Sequence, residues 1–403
     1  MKILVSHNHY QWFGGEDQVY IDETSLLEAN GHEVVRYTLH NDAIDEMSNW
    51  EILRKTFWNQ QTYCKIRSLI QKEKPEIIHS HNTFPLISPS LYYAARAEKV
   101  PIVQTLHNYR LFCLNGFFTR KGKICEDCLG KTFAWPGVLR GCYRQNKAAS
   151  TVAASMIGFH RLINTWSQMV SRYIAPSKFT MEKFIQAGVP RNKIVYKPNF
   201  IHSEPSVGKG NGNYVVFVGR LSKEKGIDIL LSAWSQLRKP ITLKIVGEGE
   251  LAENVCKAAN QDNRIEWLGR QSQSSVYSIV GDAACLAMTS IWYEICPKTI
   301  LEAFAKGTPV IASRLGFMAE FVQDGHTGLL FERGNASDLA AKIDQFFSNP
   351  LKMEQMRKVA REEYEQEYTS ETNYRMLIEI YEKVLGEKAQ GGFDSRALKR
   401  TAA

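Results

Sequence analysis

Short apolar runs rich in valine and isoleucine alternate with helix-length amphipathic segments along almost the whole chain. The runs lack strict polar alternation, which is typical of strands buried on both faces of a parallel sheet. Strand–helix repetition of this kind predicts doubly wound α/β sheets with right-handed crossovers. Strands are predicted at Lys2–Ser6, Glu33–Leu39, Glu76–Ser80, Ile102–Leu106, Ile174–Ser177, Tyr214–Gly219, Thr242–Gly247, Arg264–Leu268, Cys285–Thr289, Pro309–Ser313 and Gly328–Phe331, and helices between them include Glu16–Asn30, Ile227–Leu237 and Asp338–Phe347.

The repetition is interrupted by one linker-like segment. Ser203–Asn213 contains Pro205 and three glycines, and a new strand follows it. A chain of 403 residues is also long enough for two domains. We therefore predict sheet domains at 1–200 and 205–360, an amphipathic helix over Glu363–Leu385, and a frayed tail at 386–403.

The composition excludes several classes of protein. With 44% hydrophobic and 23% charged residues, the chain is neither intrinsically disordered nor fibrous. No apolar run approaches the ~18 residues that span a bilayer. Lys2 is followed by only three apolar residues, too few for the core of a signal peptide. We expect a soluble, cytoplasmic protein.

The net charge of +8 is concentrated in one segment. Residues 96–197 hold 17 Lys/Arg and 4 Asp/Glu, a net of +13, whereas residues 1–95 carry −4 and the remainder −1. Such a local field favours an anionic partner: a phospholipid surface, a lipid diphosphate or a nucleic acid. A solvated basic face is the alternative. The aromatic residues lie in apolar contexts instead of along basic stripes, which disfavours nucleic acid.

Four of the eight cysteines cluster in this basic segment: Cys113, Cys125, Cys128 and Cys142. In a reducing compartment such a set is not a natural disulfide framework. The Cys-x2-Cys core with two outer thiols is compatible with a structural zinc. The outer spacings match no common zinc module, so thiols simply packed in a loop-rich insertion remain the other interpretation.

Two loops are predicted to bind phosphate, because ligands of open α/β sheets lie at the carboxyl ends of the strands. Gly14-Gly15 precedes a predicted helix, where backbone N–H groups attract anions, although a Gly-Gly pair by itself is more often only a turn. In the second domain a strand runs into Gly219 and then Arg220 and Lys225. A guanidinium can donate two hydrogen bonds to phosphate oxygens, and an ammonium adds a point charge. A solvated basic loop is the alternative interpretation.

A third loop joins a predicted strand to a helix. Pro297 fits the first helical position, which leaves the N–H groups of about Lys298–Ile300 free for an anion. Glu294 lies just outside this helix and Glu302 in its second turn. The two carboxylates are therefore separated along the cleft. We expect them to bind different groups, one the sugar hydroxyls and the other the ribose hydroxyls.

Together these residues resemble a known family. The motif Gly219-Arg220-x4-Lys225-Gly226, the Glu294-x7-Glu302 spacing and the run Gly307–Ser313, followed by Gly325-x2-Gly328, resemble the retaining glycosyltransferases of family 4, the glycogen synthase-like group with the GT-B fold. Gly14-Gly15 and the run Thr105–Asn108 support the resemblance, which extends from Met1 to about Leu385.

The resemblance implies a role for each matching residue. It implies catalytic roles for four residues. His107 would line the sugar pocket, and Glu294 would bind the sugar. Arg220 and Lys225 would hold the diphosphate. Donor-binding roles fall to Gly14, Gly15, Asn199, Gly219, Arg270, Lys298, Thr299, Ile300 and Glu302. The chain departs from many relatives at Ile295-Cys296-Pro297, where small residues are usual, and at Asn108, where an Asp is frequent.

The implied reaction transfers a hexose, with retention of configuration, from a UDP-sugar, UDP-glucose being favoured, to a saccharide or a polyprenyl-diphosphate-linked saccharide at the inner membrane face. The chain has no Asp-x-Asp motif, so we expect no metal or other cofactor: positive groups and a helix N-terminus stabilise the leaving nucleotide. A front-face reaction is expected because no carboxylate is an evident nucleophile. A non-hydrolysing sugar-nucleotide epimerase and a non-enzymatic basic membrane-binding module are the alternatives.

Overall fold

The computed structural model describes residues 1–389, so most of the tail predicted at 386–403 lies outside the described residues. The first half of the chain contains eight strands: β1 (Lys2–His9), β2 (Glu33–His40), β3 (Ile77–Asn82), β4 (Ile102–Thr105), β5 (Thr119–Arg120), β6 (Lys123–Ile124), β7 (Arg172–Ala175) and β8 (Ile194–Tyr196). Its helices are α1 (Gly15–Ala29), α2 (Asn49–Phe57), α3 (Gln60–Glu73), α4 (Ser90–Ala97), α5 (Trp135–Leu139), α6 (Lys147–Leu162), α7 (Thr165–Gln168) and α8 (Lys178–Gln186).

Six of these strands form one parallel sheet in the order β2-β1-β3-β4-β7-β8, and β5 and β6 form a separate antiparallel hairpin. The interior of the sheet is buried, including every residue of β3 and β4. Sequence reasoning missed the edge strand β8 and placed β7 two residues late.

The second half repeats the architecture. Its strands are β9 (Tyr214–Val218), β10 (Thr242–Val246), β11 (Ile265–Gly269), β12 (Cys285–Met288), β13 (Val310–Ser313) and β14 (Gly328–Phe331). Its helices are α9 (Ile227–Gln236), α10 (Ala252–Gln261), α11 (Gln273–Asp282), α12 (Lys298–Ala305), α13 (Gly316–Phe321), α14 (Ala336–Phe347) and α15 (Pro350–Glu367). The sheet is parallel in the order β11-β10-β9-β12-β13-β14. Two doubly wound α/β domains, as predicted, are confirmed.

The C-terminal helix differs from the prediction. The continuous helix expected over Glu363–Leu385 is wrong: α15 ends at Glu367, and α16 begins at Ser370 and runs to Ala389. Thr369 makes the break, because its hydroxyl accepts the N–H of Thr372 at 3.2 Å and so caps a new helix. Helix α16 then packs on the first domain, where Leu377 and Tyr381 are fully buried beside β1 and β3. The chain therefore crosses back, as the resemblance implied.

None of the helices in the described part of the chain combines the length and the hydropathy that a bilayer span requires.

Candidate active site

The basic loop and the Glu294 loop leave adjacent strands at the point where the strand order of the second sheet reverses. Strand β9 lies between β10 and β12, so the connections that follow β9 and β12 diverge. Such a switch point opens a crevice at the carboxyl ends of the strands. Arg220 and Lys225 follow β9, and Glu294 follows β12.

Three hydrogen bonds fix one carboxylate oxygen of Glu294. Its Oε1 accepts hydrogen bonds from Lys225 Nζ at 2.6 Å, Ser290 Oγ at 2.6 Å and Trp292 Nε1 at 2.9 Å. The side chain is buried, and its second oxygen has no protein donor within the described residues. One carboxylate oxygen is thus fixed while the other remains available to an incoming hydroxyl group.

The backbone joins the two loops. Thr289 Oγ1 donates to the Lys225 carbonyl at 2.8 Å, and Ile291 N–H donates to the Glu224 carbonyl at 2.9 Å. Gly226 has φ +73°, and a Cβ there would lie 2.0 Å from the Thr289 carbonyl oxygen. A glycine is therefore required at this position, which explains part of the motif in terms of loop packing.

The start of α12 corrects the sequence prediction in two respects. Pro297 is the N-cap, not the first helical residue. The Ile300 N–H is not free, because it donates to the Pro297 carbonyl at 3.2 Å. The N–H groups of Lys298 and Thr299 have no partner among residues 1–389, so they form the anion-accepting end of the helix.

Glu302 and Lys298 lie further along α12. Glu302 is buried and accepts Gln273 Nε2 at 2.8 Å. Burial raises its pKa, with the nearby Lys298 opposing the shift. The Lys298 ammonium pairs with Asp22 of α1, so this residue bridges the two domains as well as supplying a backbone donor.

The other predicted donor-binding residues occupy the same rim. Gly219 follows β9 directly, and Asn199, which precedes the linker, donates its amide to the Cys296 carbonyl at 2.8 Å and so joins the end of the first domain to the Glu294 loop. Arg220 and Arg270, which follow β9 and β11, are exposed and have no protein partner in the described part of the chain. They are free to bind an anionic ligand.

The first domain contributes a cluster of histidine side chains to the site, of which the sequence analysis identified only His107. His107 follows β4, and its Nε2 lies 3.0 Å from His81 Nδ1 of β3. Their rings stack at a centroid separation of 5.2 Å. Burial lowers the pKa of both groups well below the usual histidine value, and each neighbouring imidazole adds to the effect. Both rings are therefore neutral at pH 7.

Gly14 and Gly15 form the turn before α1. The Gly14 N–H is already used, because it donates to Asp17 Oδ2 at 2.9 Å. A Cβ at Gly15 would meet no atom within 4 Å, so this backbone faces open space. Asp17 Oδ1 also lies 2.9 Å from both His7 Nε2 and His9 Nδ1, which fixes the loop against β1.

A buried charge pair lies behind the imidazoles. Lys197 Nζ donates to Glu23 Oε1 at 2.5 Å and to Asn373 Oδ1 at 2.9 Å, so the residue after β8 is joined to α1 and α16. His79 Nδ1 lies 2.6 Å from the Tyr381 hydroxyl of α16. Burial lowers the pKa of His79 to about 4. The paired histidines at positions i and i+2 of β1 and β3 were the sequence signal for this cluster.

Glu16 is a further residue that sequence reasoning missed. It lies in the first turn of α1, with Asn108 Nδ2 3.5 Å from its Oε2. Its Oε1 is buried without a partner. Burial raises the pKa of Glu16 to about 8, while Arg110 acts in the opposite direction.

Two groups of side chains bring potential metal ligands within 4.8 Å of one another in the described residues: His7, His9 and Asp17, and Glu23, His79 and His81. In the first, Asp17 is committed to three hydrogen bonds. In the second, Lys197 already neutralises Glu23. Neither group therefore fits a cation.

Comparisons with known proteins agree with this geometry. Residues 13–204 match the family described as Glycosyltransferase Family 4, and residues 200–363 match Glycosyl transferases group 1. An uncharacterized glycosyltransferase of Methanocaldococcus jannaschii is 30% identical over 398 residues, covering 95% of this chain and 99% of that protein. The N-acetyl-alpha-D-glucosaminyl L-malate synthase of Bacillus anthracis is 22% identical and covers 97% of this chain and 100% of its own length.

Solved structures share the fold. A crystal structure of Anabaena Alr3699/HepE in complex with UDP-glucose superposes with a TM-score of 0.67 at 19% identity, covering 95% of this chain and all of that one. Sucrose-phosphate synthase from Thermosynechococcus elongatus superposes with a TM-score of 0.70 at 16% identity, covering 96% of this chain and 99% of its own.

Proposed function

Since the chain belongs to the glycosyltransferases of family 4, we propose that it transfers a hexose with retention from a UDP-sugar, UDP-glucose first, to a saccharide or lipid-linked saccharide. The observation that carries this proposal is the carboxylate of Glu294. One of its oxygens is fixed by Lys225, Ser290 and Trp292, and the other is left free at the switch point. A fixed acceptor beside a cationic loop suits a sugar next to a diphosphate.

The diphosphate is assigned to the second domain. Arg220 and Lys225 approach it from the loop after β9, and the Lys298 and Thr299 N–H groups approach it from α12. Lys225 is fixed by its bond to Glu294 and the two N–H groups are fixed by the helix, so these donors stabilise charge that grows on the leaving nucleotide without reorganising, and Arg220 adds a mobile positive charge. Glu302, buried in the next turn, is assigned to the ribose hydroxyls. No divalent metal is required in this scheme.

The transferred sugar is assigned to the space between Glu294 and His107. A neutral imidazole can donate a hydrogen bond to a sugar hydroxyl or accept one, and its contact with His81 orients the ring. A front-face reaction follows: the departing phosphate takes the proton of the acceptor hydroxyl as the new glycosidic bond forms and the bond to the nucleotide breaks. The products are the glycoside and UDP.

A panel of nucleotide sugars tests the donor. UDP-glucose should raise the melting temperature and turn over only when an acceptor is added, because a ligand that binds only the folded state stabilises it. GDP- or ADP-sugars acting in its place would refute the UDP assignment. Conversion of the donor alone to an isomer would indicate an epimerase. NMR of the first-formed anomer checks retention.

A lipid-linked acceptor is supported by an apolar and basic face of the first domain. Large side chains protrude around α5 and the end of α6: Phe133, Trp135, Leu139, Phe159 and Leu162. Lys131 belongs to the same face, with its Nζ 5.7 Å from the Trp135 ring centre. Aromatic and aliphatic groups that insert at the lipid interface beside cations that attract anionic headgroups are typical of interfacial binding.

Vesicle co-sedimentation tests this face. The protein should pellet with anionic vesicles at low salt, and Trp135→Ser with Leu139→Ser should weaken the binding. Leu351→Ser is the matched control, because Leu351 is 81% exposed but lies in the second domain. No binding to anionic vesicles, or equal loss in the control, would contradict the assignment. Donor binding measured in parallel separates this result from failure of the transferase proposal.

A further inference from the structure

The insertion between β4 and α6 has a compact fold with little regular structure. From Cys113 to Cys142 it contains only the two-residue strands β5 and β6 and the five-residue helix α5. Yet Cys113, Leu114 and Phe118 are buried. A segment with so few backbone ladders needs another source of cross-linking. We propose that Cys113, Cys125, Cys128 and Cys142 bind a structural zinc ion that supplies it.

The four cysteines come from separate parts of the insertion and converge. Cys113 precedes the hairpin, Cys125 and Cys128 follow it, and Cys142 lies beyond α5. All four line one small cavity, and none is in a disulfide. The remaining four cysteines of the chain lie outside this cavity, two of them exposed at Cys64 and Cys256. Convergence of the clustered thiols is a feature that their sequence spacing alone did not establish.

The turns around the sulfurs suit metal ligation. Gly116 and Gly130 follow Cys113 and Cys128 at short distance, with φ of +79° and +74°, so the chain reverses after each cysteine. The backbone N–H groups of residues 115 to 118 face the Cys113 sulfur. N–H groups directed at sulfur stabilise a thiolate, the form that binds metal.

Charge balance points the same way. Four thiolates around Zn²⁺ leave a net charge of about −2. Arg120 and Arg140 both line the cavity, and Arg140 Nη1 lies 3.6 Å from Cys125 Sγ. Arg120 is placed to offset part of this negative charge, whereas the Arg140 guanidinium is shared between the Cys125 sulfur and the Asp127 carboxylate. Zinc binding would release the four thiol protons as the thiolates form.

Closure around the metal requires the thiols to rotate. No three of the four sulfurs lie within 4.8 Å of one another in the described structure. A tetrahedral site with Zn–S bonds of about 2.3 Å brings sulfurs to about 3.8 Å. The proposal therefore requires the four side chains to rotate about their Cα–Cβ bonds toward the shared cavity.

The insertion also contacts the loop that carries Glu294, which gives the zinc a functional consequence. Tyr293 donates its hydroxyl to Glu126 Oε1 at 2.8 Å, and Glu126 lies between Cys125 and Cys128. The Phe117 ring lies 4.5 Å from the Trp292 ring. Trp292 in turn donates to Glu294. Loss of the metal should therefore loosen the support of the site as well as the insertion.

Metal analysis of the full chain, purified without chelators in reducing buffer, tests the proposal directly. We expect about one zinc per chain, released when a mercurial reagent blocks the thiols, and a tetrahedral thiolate spectrum after exchange with Co²⁺. Less than about a tenth of an equivalent after reconstitution with zinc, iron in its place, or mapped disulfides among the four cysteines would overturn it.

Variants then assign the ligands. Cys125→Ser with Cys128→Ser should lose the zinc, whereas Cys64→Ser with Cys256→Ser should retain it. Retention of zinc by the first variant would overturn the assignment. If the first variant does not fold, the mercurial titration and the cobalt spectrum of the unaltered chain decide the question. The metal content is independent of turnover, so failure here leaves the proposed transferase function separately testable.

Discussion

The ion pair between Lys197 and Glu23 provides the most direct energetic test of the structure. Both side chains are almost fully inaccessible, at 2% and 1%. Removing the ammonium in Lys197→Met leaves a buried carboxylate whose nearest titratable neighbours are His79 and His81. Burial is the largest cause that lowers the pKa of both imidazoles, ahead of Lys197, and it persists in the variant, so it still opposes a compensating charge on either ring.

Breaking such a pair costs about 3–5 kcal/mol, because one charge remains buried without a partner. We expect Lys197→Met to lower the free energy of unfolding by about that amount in urea at pH 7. Adding Glu23→Gln removes the orphaned charge and should recover about 1–3 kcal/mol. Lys358→Met is the matched control: its 3.0 Å pair with Glu354 is exposed on α15, and its loss should cost no more than about 0.5 kcal/mol. Additive losses for the two buried substitutions would refute the reasoning.

Four further results are expected. Arg220→Ala should lower turnover about a hundredfold with little change in the KM of the sugar nucleotide, because the guanidinium acts on charge that develops in the transition state. Arg238→Ala is the control, since Arg238 is exposed beyond the opposite end of α9, and it should change neither value. Unchanged turnover in Arg220→Ala would contradict the assignment. EDTA followed by Mg²⁺ should leave the rate unaltered; abolition and restoration would show that a divalent ion takes part. The folded-state pKa of Glu16, about 8, exceeds its unfolded value of about 4.5, so its contribution to stability is fully present below pH 4.5 and is lost as pH rises through 8. Glu16→Gln should flatten that decline in melting temperature. Parallel curves of melting temperature against pH for the variant and the unaltered protein would refute this expectation. His81→Leu should lower turnover on the order of a hundredfold, because the His107 ring loses the contact that orients it. The dissociation constant of the sugar nucleotide should stay constant, and His81→Gln should recover part of the rate. Full activity in His81→Leu would exclude a positioning role for His81.

Much of the scaffold was readable from local patterns. Eleven of the twelve sheet strands were located from buried apolar runs. The missed strand, β8, has only three residues and lies at the sheet edge, where a short run gives no periodic signal. The loops at Arg220, Lys225 and Glu294 were identified because each follows a strand directly, and chain order alone places such loops at one edge of a parallel sheet.

Side-chain partners in the site were decided by the tertiary structure. The alternating histidines of β1 and β3 form a cluster only because the sheet order puts these strands side by side. Lys197 and Asn373 are separated by 176 residues and meet because α16 crosses back to the first domain. At the start of α12, Pro297 is the N-cap and the Ile300 N–H donates to its carbonyl, so only the Lys298 and Thr299 N–H groups remain free among the residues that the structure describes. Periodicity and capping act over a few residues, so the sequence by itself determined the elements and their loop ends. Pairings across the sheet and between the domains depend on long-range packing, which local pattern does not encode.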